Sequence, residues 1–188
     1  MAATRESTEK LDLNLKYLFE YGVSLQSRTI QLVGEIDQEK FQLIDKALTE
    51  MERQNQKSVT LRINSEGGSV YDALAIIGRL ENSKCRIITE GYGCVMSAAT
   101  LVLAAGGKRR ISNRAWLMHH ESSYDVEGRH SEVKQQVKQK EREEDQWAEV
   151  MALYTSKTKA FWKKNGITQD VYFTAQELVK LGVVDELF

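Results

Sequence analysis

The 188-residue chain has no proline, and its two cysteines, three tryptophans and three histidines leave few residues for specialised chemistry. Cys85 and Cys94 lie in apolar or turn context without metal-ligand spacing, so reduced thiols in a cytoplasmic compartment are expected and a metal is not. No apolar run approaches the length of a bilayer crossing. The N-terminus MAATRESTEKLDLN carries no apolar signal core, so export by that route is not expected. A formal net charge of −1 argues against general binding to nucleic acid or to an anionic membrane. Neither a Walker motif nor a dinucleotide fingerprint occurs, and no cofactor is implied.

What is present suits one globular domain: 41% hydrophobic and 28% charged residues over a length that can bury a sizeable core. Residues 1 to about 12 are polar and charged and read as a mobile arm. Thr29 to Ile36 alternates as a strand, and Asp37 can cap a helix carrying Phe41, Ile44, Leu48 and Met51 at helical spacing. Val59, Leu61 and Ile63 mark a second strand. It ends in Asn64-Ser65-Glu66-Gly67-Gly68, before a helix with Val70, Ala73, Leu74, Ile77 and Leu80 on one face. A third strand, Cys85 to Thr89, enters a turn built on Gly91 and Gly93, and Ser97 precedes an uncharged helical run, Ala98 to Ala105. Strand and helix alternate three times, which predicts an α/β fold with a parallel sheet and right-handed crossovers. The turns after successive strands then share one sheet edge, so Gly67-Gly68 and Ser97 are expected as neighbours.

Two accounts of Ser97 stand side by side. A serine at a strand-to-helix junction can act as a nucleophile if a histidine reaches it, and His119 and His120 end the next apolar segment. Alternatively Ser97 caps a core helix and the histidines merely close a strand. Gly67-Gly68 can likewise bring bare N–H groups to a ligand or simply form a tight turn. Beyond a polar loop, Glu121 to Arg129, a long helical stretch runs from about Ser131 to Lys164. Its segment Lys138 to Gln146 has no apolar residue, so it projects into solvent or packs on another subunit. Asn165-Gly166 ends that helix, Asp170 begins an extended segment, and Thr174 with Glu177 forms a capping box for a last helix stopped by Gly182.

Taken together, four segments resemble the proteolytic subunit of the Clp protease, with the similarity running from about Thr29 to the C-terminus. Ile63-Asn-Ser-Glu-Gly-Gly68 resembles the family's Ile-Asn-Ser-Pro-Gly-Gly turn, and Gly93-Cys-Val-Met-Ser97 its Gly-x-Ala-Ala-Ser segment. Leu117-Met-His-His120 resembles its Met-Ile-His strand end. Asp170-Val-Tyr-Phe-Thr-Ala-Gln-Glu177 with Gly182-Val-Val-Asp185 is similar to its closing pattern. The resemblance implies a serine endopeptidase with Ser97 as nucleophile, His120 as general base and Asp170 as its orienting carboxylate. The N–H groups of Gly68 and Ala98 would form the oxyanion hole. Composition alone does not choose Asp170 over Asp72, Asp125 or Asp185, and a one-residue slip would choose His119.

The implied fold is the repeated βαβ core shared with the crotonase superfamily, plus a protruding handle helix at about 121–165. Residues 28–188 would form one protease domain behind an arm and axial segment, 1–27. Heptameric rings, stacked in a pair through their handles, would enclose a chamber that admits unfolded polypeptides. Departures from the family pattern concern partners and substrates. Glu66 replaces a proline beside the Gly-Gly turn, and Glu121-Ser122 replaces Gln-Pro. Thr60 and Arg62 stand where aromatic residues help dock a AAA+ ATPase, which puts that partner in doubt and fits a divergent relative such as a phage-encoded one. The rival readings are a non-catalytic subunit of a mixed ring and an acyl-CoA enzyme of the crotonase type.

Overall fold

The computed structural model describes residues 15–165 and 169–188. The arm expected over residues 1 to 12, and Gly166, lie outside the described residues. Residues 15–21 are helical (α1), and the sheet begins with β1 (Val23–Ser24), antiparallel to β2 (Thr29–Val33). Then follow α2 (Gln38–Gln54), β3 (Val59–Ser65), α3 (Val70–Glu81), β4 (Ile87–Met96), α4 (Ala98–Ala104), β5 (Lys108–Ile111) and β6 (Trp116–His119). The chain ends with α5 (His130–Tyr154), α6 (Lys159–Lys164), β7 (Val171–Thr174), α7 (Ala175–Leu181) and β8 (Glu186–Leu187).

Strands β2, β3, β4 and β5 run parallel in that order with β8 outside β5, and β6 pairs parallel with the far half of β4. β7 is antiparallel to β6. Helix starts follow local chemistry. The Asp37 carboxylate accepts the Lys40 N–H at 2.8 Å, and Ser69 Oγ accepts the Asp72 N–H at 3.2 Å. α2 buries Ile44, Ala47, Leu48 and Met51, and α3 buries Ala73, Ile76, Ile77 and Leu80. Each fully buried Leu or Ile contributes about 1.5–3 kcal/mol. All seven residues of α4 are buried, so this uncharged helix is enclosed by the core.

Gly91 and Gly93 do not form a turn. They lie inside β4, a strand of ten residues. A Cβ on Gly91 would stand 3.0 Å from the Ile111 side chain, and Gly93 has φ +48°. Here β4 changes partner, from β5 over Ile88–Gly91 to β6 over Cys94–Met96, while its register with β3 shifts between Ile63 and Ser65. The glycines let one strand bend from one neighbour to another. That bend carries Ser97 to the end of β6.

The single helix expected from Ser131 to Lys164 is broken. α5 stops at Tyr154, where the Thr155 hydroxyl donates to the Met151 carbonyl at 2.6 Å. The Thr158 hydroxyl opens α6 by accepting the Phe161 N–H at 3.2 Å. The polar segment Lys138 to Gln146 is also not bare of contacts with its own core. Glu143 is buried there, accepting the Tyr71 hydroxyl of α3 and pairing with Lys140 Nζ at 2.7 Å. A polar stretch thus packs through hydrogen bonds where apolar contact is lacking. Replacing Glu143 with Ala should lower unfolding free energy by about 0.5–1.5 kcal/mol in urea titrations, because the bond that ties α5 to Tyr71 of α3 is lost while the exposed donors turn to water. An unchanged midpoint would show that α5 is not anchored at this point.

Candidate active site

Ser97 joins β4 to α4 at φ +50° and ψ −126°, a conformation that costs a non-glycine residue about 1–3 kcal/mol. Three hydrogen bonds hold it. Its N–H donates to the Met118 carbonyl at 2.8 Å, and its carbonyl accepts the Thr100 N–H at 3.0 Å and the Thr100 hydroxyl at 2.7 Å. The Ser97 side chain does not cap α4. Instead Oγ lies 2.9 Å from His120 Nε2. The account in which the serine hydroxyl is spent on helix capping is therefore set aside.

The glycine turn is wedged between Ser97 and the end of the β2–α2 loop. A Cβ on Gly67 would stand 2.7 Å from Ser97 Cβ, and one on Gly68 would stand 2.4 Å from the Ile36 carbonyl oxygen. Ile36 pins the turn from behind, donating its N–H to the Gly67 carbonyl at 2.7 Å and accepting the Ser69 N–H at 2.8 Å. Both glycines are thus required by close approach and by their positive φ. Among the described residues, no acceptor receives the N–H of Gly68 or of Ala98.

The two histidines diverge, as consecutive residues at the end of a strand do. His119 is buried and stacked on Trp147 with ring centroids 3.9 Å apart. Its Nε2–H donates to the Trp162 carbonyl at 3.2 Å, and burial pushes its pKa down to about 4. His120 is partly exposed and faces Ser97. Its Nδ1 is 4.0 Å from Asp170 Oδ1, beyond hydrogen-bond range, and the Asp170 side chain is more than half exposed. Asp185 is committed elsewhere: its carboxylate accepts the Arg109 N–H at 2.8 Å and pairs with the Arg109 guanidinium.

A cavity of about 70 Å³ adjoins Ser97 and His120. Trp162, Glu144 and Lys163 line it, and nothing in the sequence pattern had assigned them a role. Trp147 carried only the signal of an apolar stripe. Among the described residues no group of three or more His, Cys, Asp or Glu side chains could hold a metal, and no helix is long and apolar enough to cross a membrane. Both cysteines are free thiols.

A serine hydroxyl on a strained turn, bonded to a histidine beside unengaged main-chain donors, is equipment for acyl transfer. The sequence pattern of the Clp protease family matches residues 16–188, and the chain belongs to that family. It is 31% identical over 166 residues to the ATP-dependent Clp protease proteolytic subunit 1 of Corynebacterium jeikeium, covering 87% of this chain and 88% of that protein. It is 32% identical over 133 residues to proteolytic subunit 2 of Corynebacterium diphtheriae, covering 70% of this chain and 66% of that one. Subunit 2 of Rhodococcus jostii is 31% identical over 133 residues, with coverages of 70% and 68%. Family membership supports a serine peptidase and favours neither the crotonase-type nor the structural-subunit reading.

His119 makes the fold sensitive to acid. Its folded pKa of about 4 lies below the ordinary 6.5, so between these values the unfolded chain binds the proton and the folded chain does not. This contribution to stability is whole above pH 6.5 and is lost as pH falls toward 4, by roughly 3 kcal/mol. Denaturation midpoints measured across that window should fall with pH, and His119→Phe should flatten the slope. An equal slope in the variant would remove His119 as the cause.

Proposed function

We propose that the protein is a serine endopeptidase working through an acyl-enzyme on Ser97, inside a chamber built from copies of the same chain. The observation that carries this is the 2.9 Å contact between Ser97 Oγ and His120 Nε2 at a strained turn. In the tautomer with the proton on Nδ1, the Ser97 hydroxyl donates to Nε2. His120 takes that proton as Oγ attacks the scissile carbonyl carbon. The N–H groups of Gly68 and Ala98 receive the oxyanion, a contribution worth about 3–4 kcal/mol per donor in comparable sites. His120 then protonates the departing amine. In the second half it deprotonates a water, which attacks the acyl carbon and releases Ser97. Asp170, whose Oδ1 lies 4.0 Å from Nδ1, orients the ring through a contact that shortens when substrate binds.

Self-assembly is supported by apolar surface left uncovered on one chain. α1 exposes Leu15, Tyr17, Leu18, Phe19 and Tyr21, and Leu153 near the end of α5 is 72% exposed. We assign residues 121–165 to a handle that meets its counterpart in a second ring. The relatives' names describe ATP-dependent proteases, but on this chain Arg62 Nε lies 3.3 Å from Glu90, which Arg110 also grips at 2.7 Å. Tyr92 and Phe188 stand on the same face with the Arg62 and Arg110 guanidinium groups over their rings, so an ATPase loop docking here would meet cation–π pairs in place of aromatic residues at positions 60 and 62.

Hydrolysis of a fluorogenic peptide by the Ser97→Ala protein should fall at least about 10³-fold. Unchanged cleavage would overturn the assignment. Light scattering should give a particle many times the 21.4 kDa of one chain, and charge reversals within Lys138 to Gln146 should shift its size. A monomer at working concentration would contradict the chamber.

A further inference from the structure

The cavity beside Ser97 has two kinds of wall. Ala98, Trp147 and Trp162 give it an apolar, largely buried lining, while Glu121, Glu144 and Lys163 supply charge. Lys163 is already committed, because its Nζ pairs with Asp145, the neighbour of Glu144 on α5. Among the described residues, Glu121 and Glu144 have no cationic partner within 4.0 Å. Burial, and then the charge of Glu121, raise the Glu144 carboxyl above its ordinary range, with the Ser122 N–H and Lys163 opposing. Two carboxylates without a direct ion pair therefore stand at the rim of an apolar slot next to the nucleophile, with the charge of Lys163 shared with Asp145.

That combination suits an occupant with a hydrocarbon stem and a cationic head. The stem can lie along the half-buried Trp147 ring, which Trp162 backs from the core, while the head reaches the carboxylates. A volume of about 70 Å³ corresponds to roughly five water positions, enough for a four-carbon stem. We propose that this cavity receives the side chain on the acyl side of the scissile bond and selects a basic residue there, with Glu144 and Glu121 determining specificity. The identity of the occupant rests on the peptidase reading; the charge preference of the cavity does not.

The test measures binding apart from cleavage. Acetyl-Ala-Ala-Lys and acetyl-Ala-Ala-norleucine share the same four-carbon side chain and differ only by the ammonium that lysine carries on its last carbon. Their binding to the assembled Ser97→Ala protein can be followed by the fluorescence of Trp147 and Trp162. The lysine peptide should bind about tenfold more tightly. With Glu144→Gln added that ratio should fall below about twofold, and with Glu144→Lys it should invert toward a peptide ending in glutamate. Equal or tighter binding of the norleucine peptide, a preference untouched by Glu144→Gln, or no binding of either peptide would overturn the proposal. Cleavage of lysine-containing substrates by the unaltered protein is read separately. A lysine preference without any cleavage would leave the charge preference of the cavity standing and remove the peptidase reading, and with it the acyl-side assignment.

Discussion

Ser97 keeps a full side chain at φ +50°, and the surroundings show what holds it there. Its N–H is fixed by the Met118 carbonyl, its own carbonyl by Thr100, and its Cβ faces a glycine that leaves no room for another side chain. Strain of about 1–3 kcal/mol persists only where neighbours over-determine the backbone. The same contacts build the site. Met118 belongs to the strand that ends in the histidines, so the bond that restrains the serine also sets its distance from His120. The glycine turn that leaves space for Ser97 also leaves the Gly68 N–H unengaged at its side.

A strand that changes partners makes this convergence possible. β4 runs beside β5 for its first half and beside β6 for its second, and the bend between them passes through Gly91 and Gly93. Without it, Ser97 would end over β5, away from the histidines. The pair His119-His120 then divides the labour across one strand. His119 is stacked, hydrogen-bonded and held neutral in the core, so it anchors α5 and α6 against the sheet. His120 stays partly exposed and within hydrogen-bond distance of the Ser97 hydroxyl. Asp170 enters from β7, antiparallel to β6, and its charge sits near the outer nitrogen of His120 without a hydrogen bond.

Much of this was legible in the residues. The alternation of strands and helices, the caps at Asp37 and Thr174, and the shared edge of Gly67 and Ser97 follow from local chemistry and the rules of parallel sheets. The strand through Gly91 and Gly93 was not, because glycine marks a turn and a bent strand alike, and only the partners tell them apart. The helix break at residues 155–158 had its signals in Thr155, Ser156 and Thr158, but periodic residues on both sides concealed them. Glu143 was illegible for a different reason: its burial depends on a tyrosine 72 residues away. The cavity lined by Trp162 and Glu144 arises from that same folding back of α5 and α6, which local spacing does not encode.

Fluorophosphonate labelling, followed by peptide mass spectrometry, tests the central claim most directly, because the reagent reports an activated serine with a working oxyanion site. The account predicts one adduct, on Ser97, that disappears in the Ser97→Ala protein. Absence of any adduct on an assembled particle, or an adduct that survives the substitution, would contradict it.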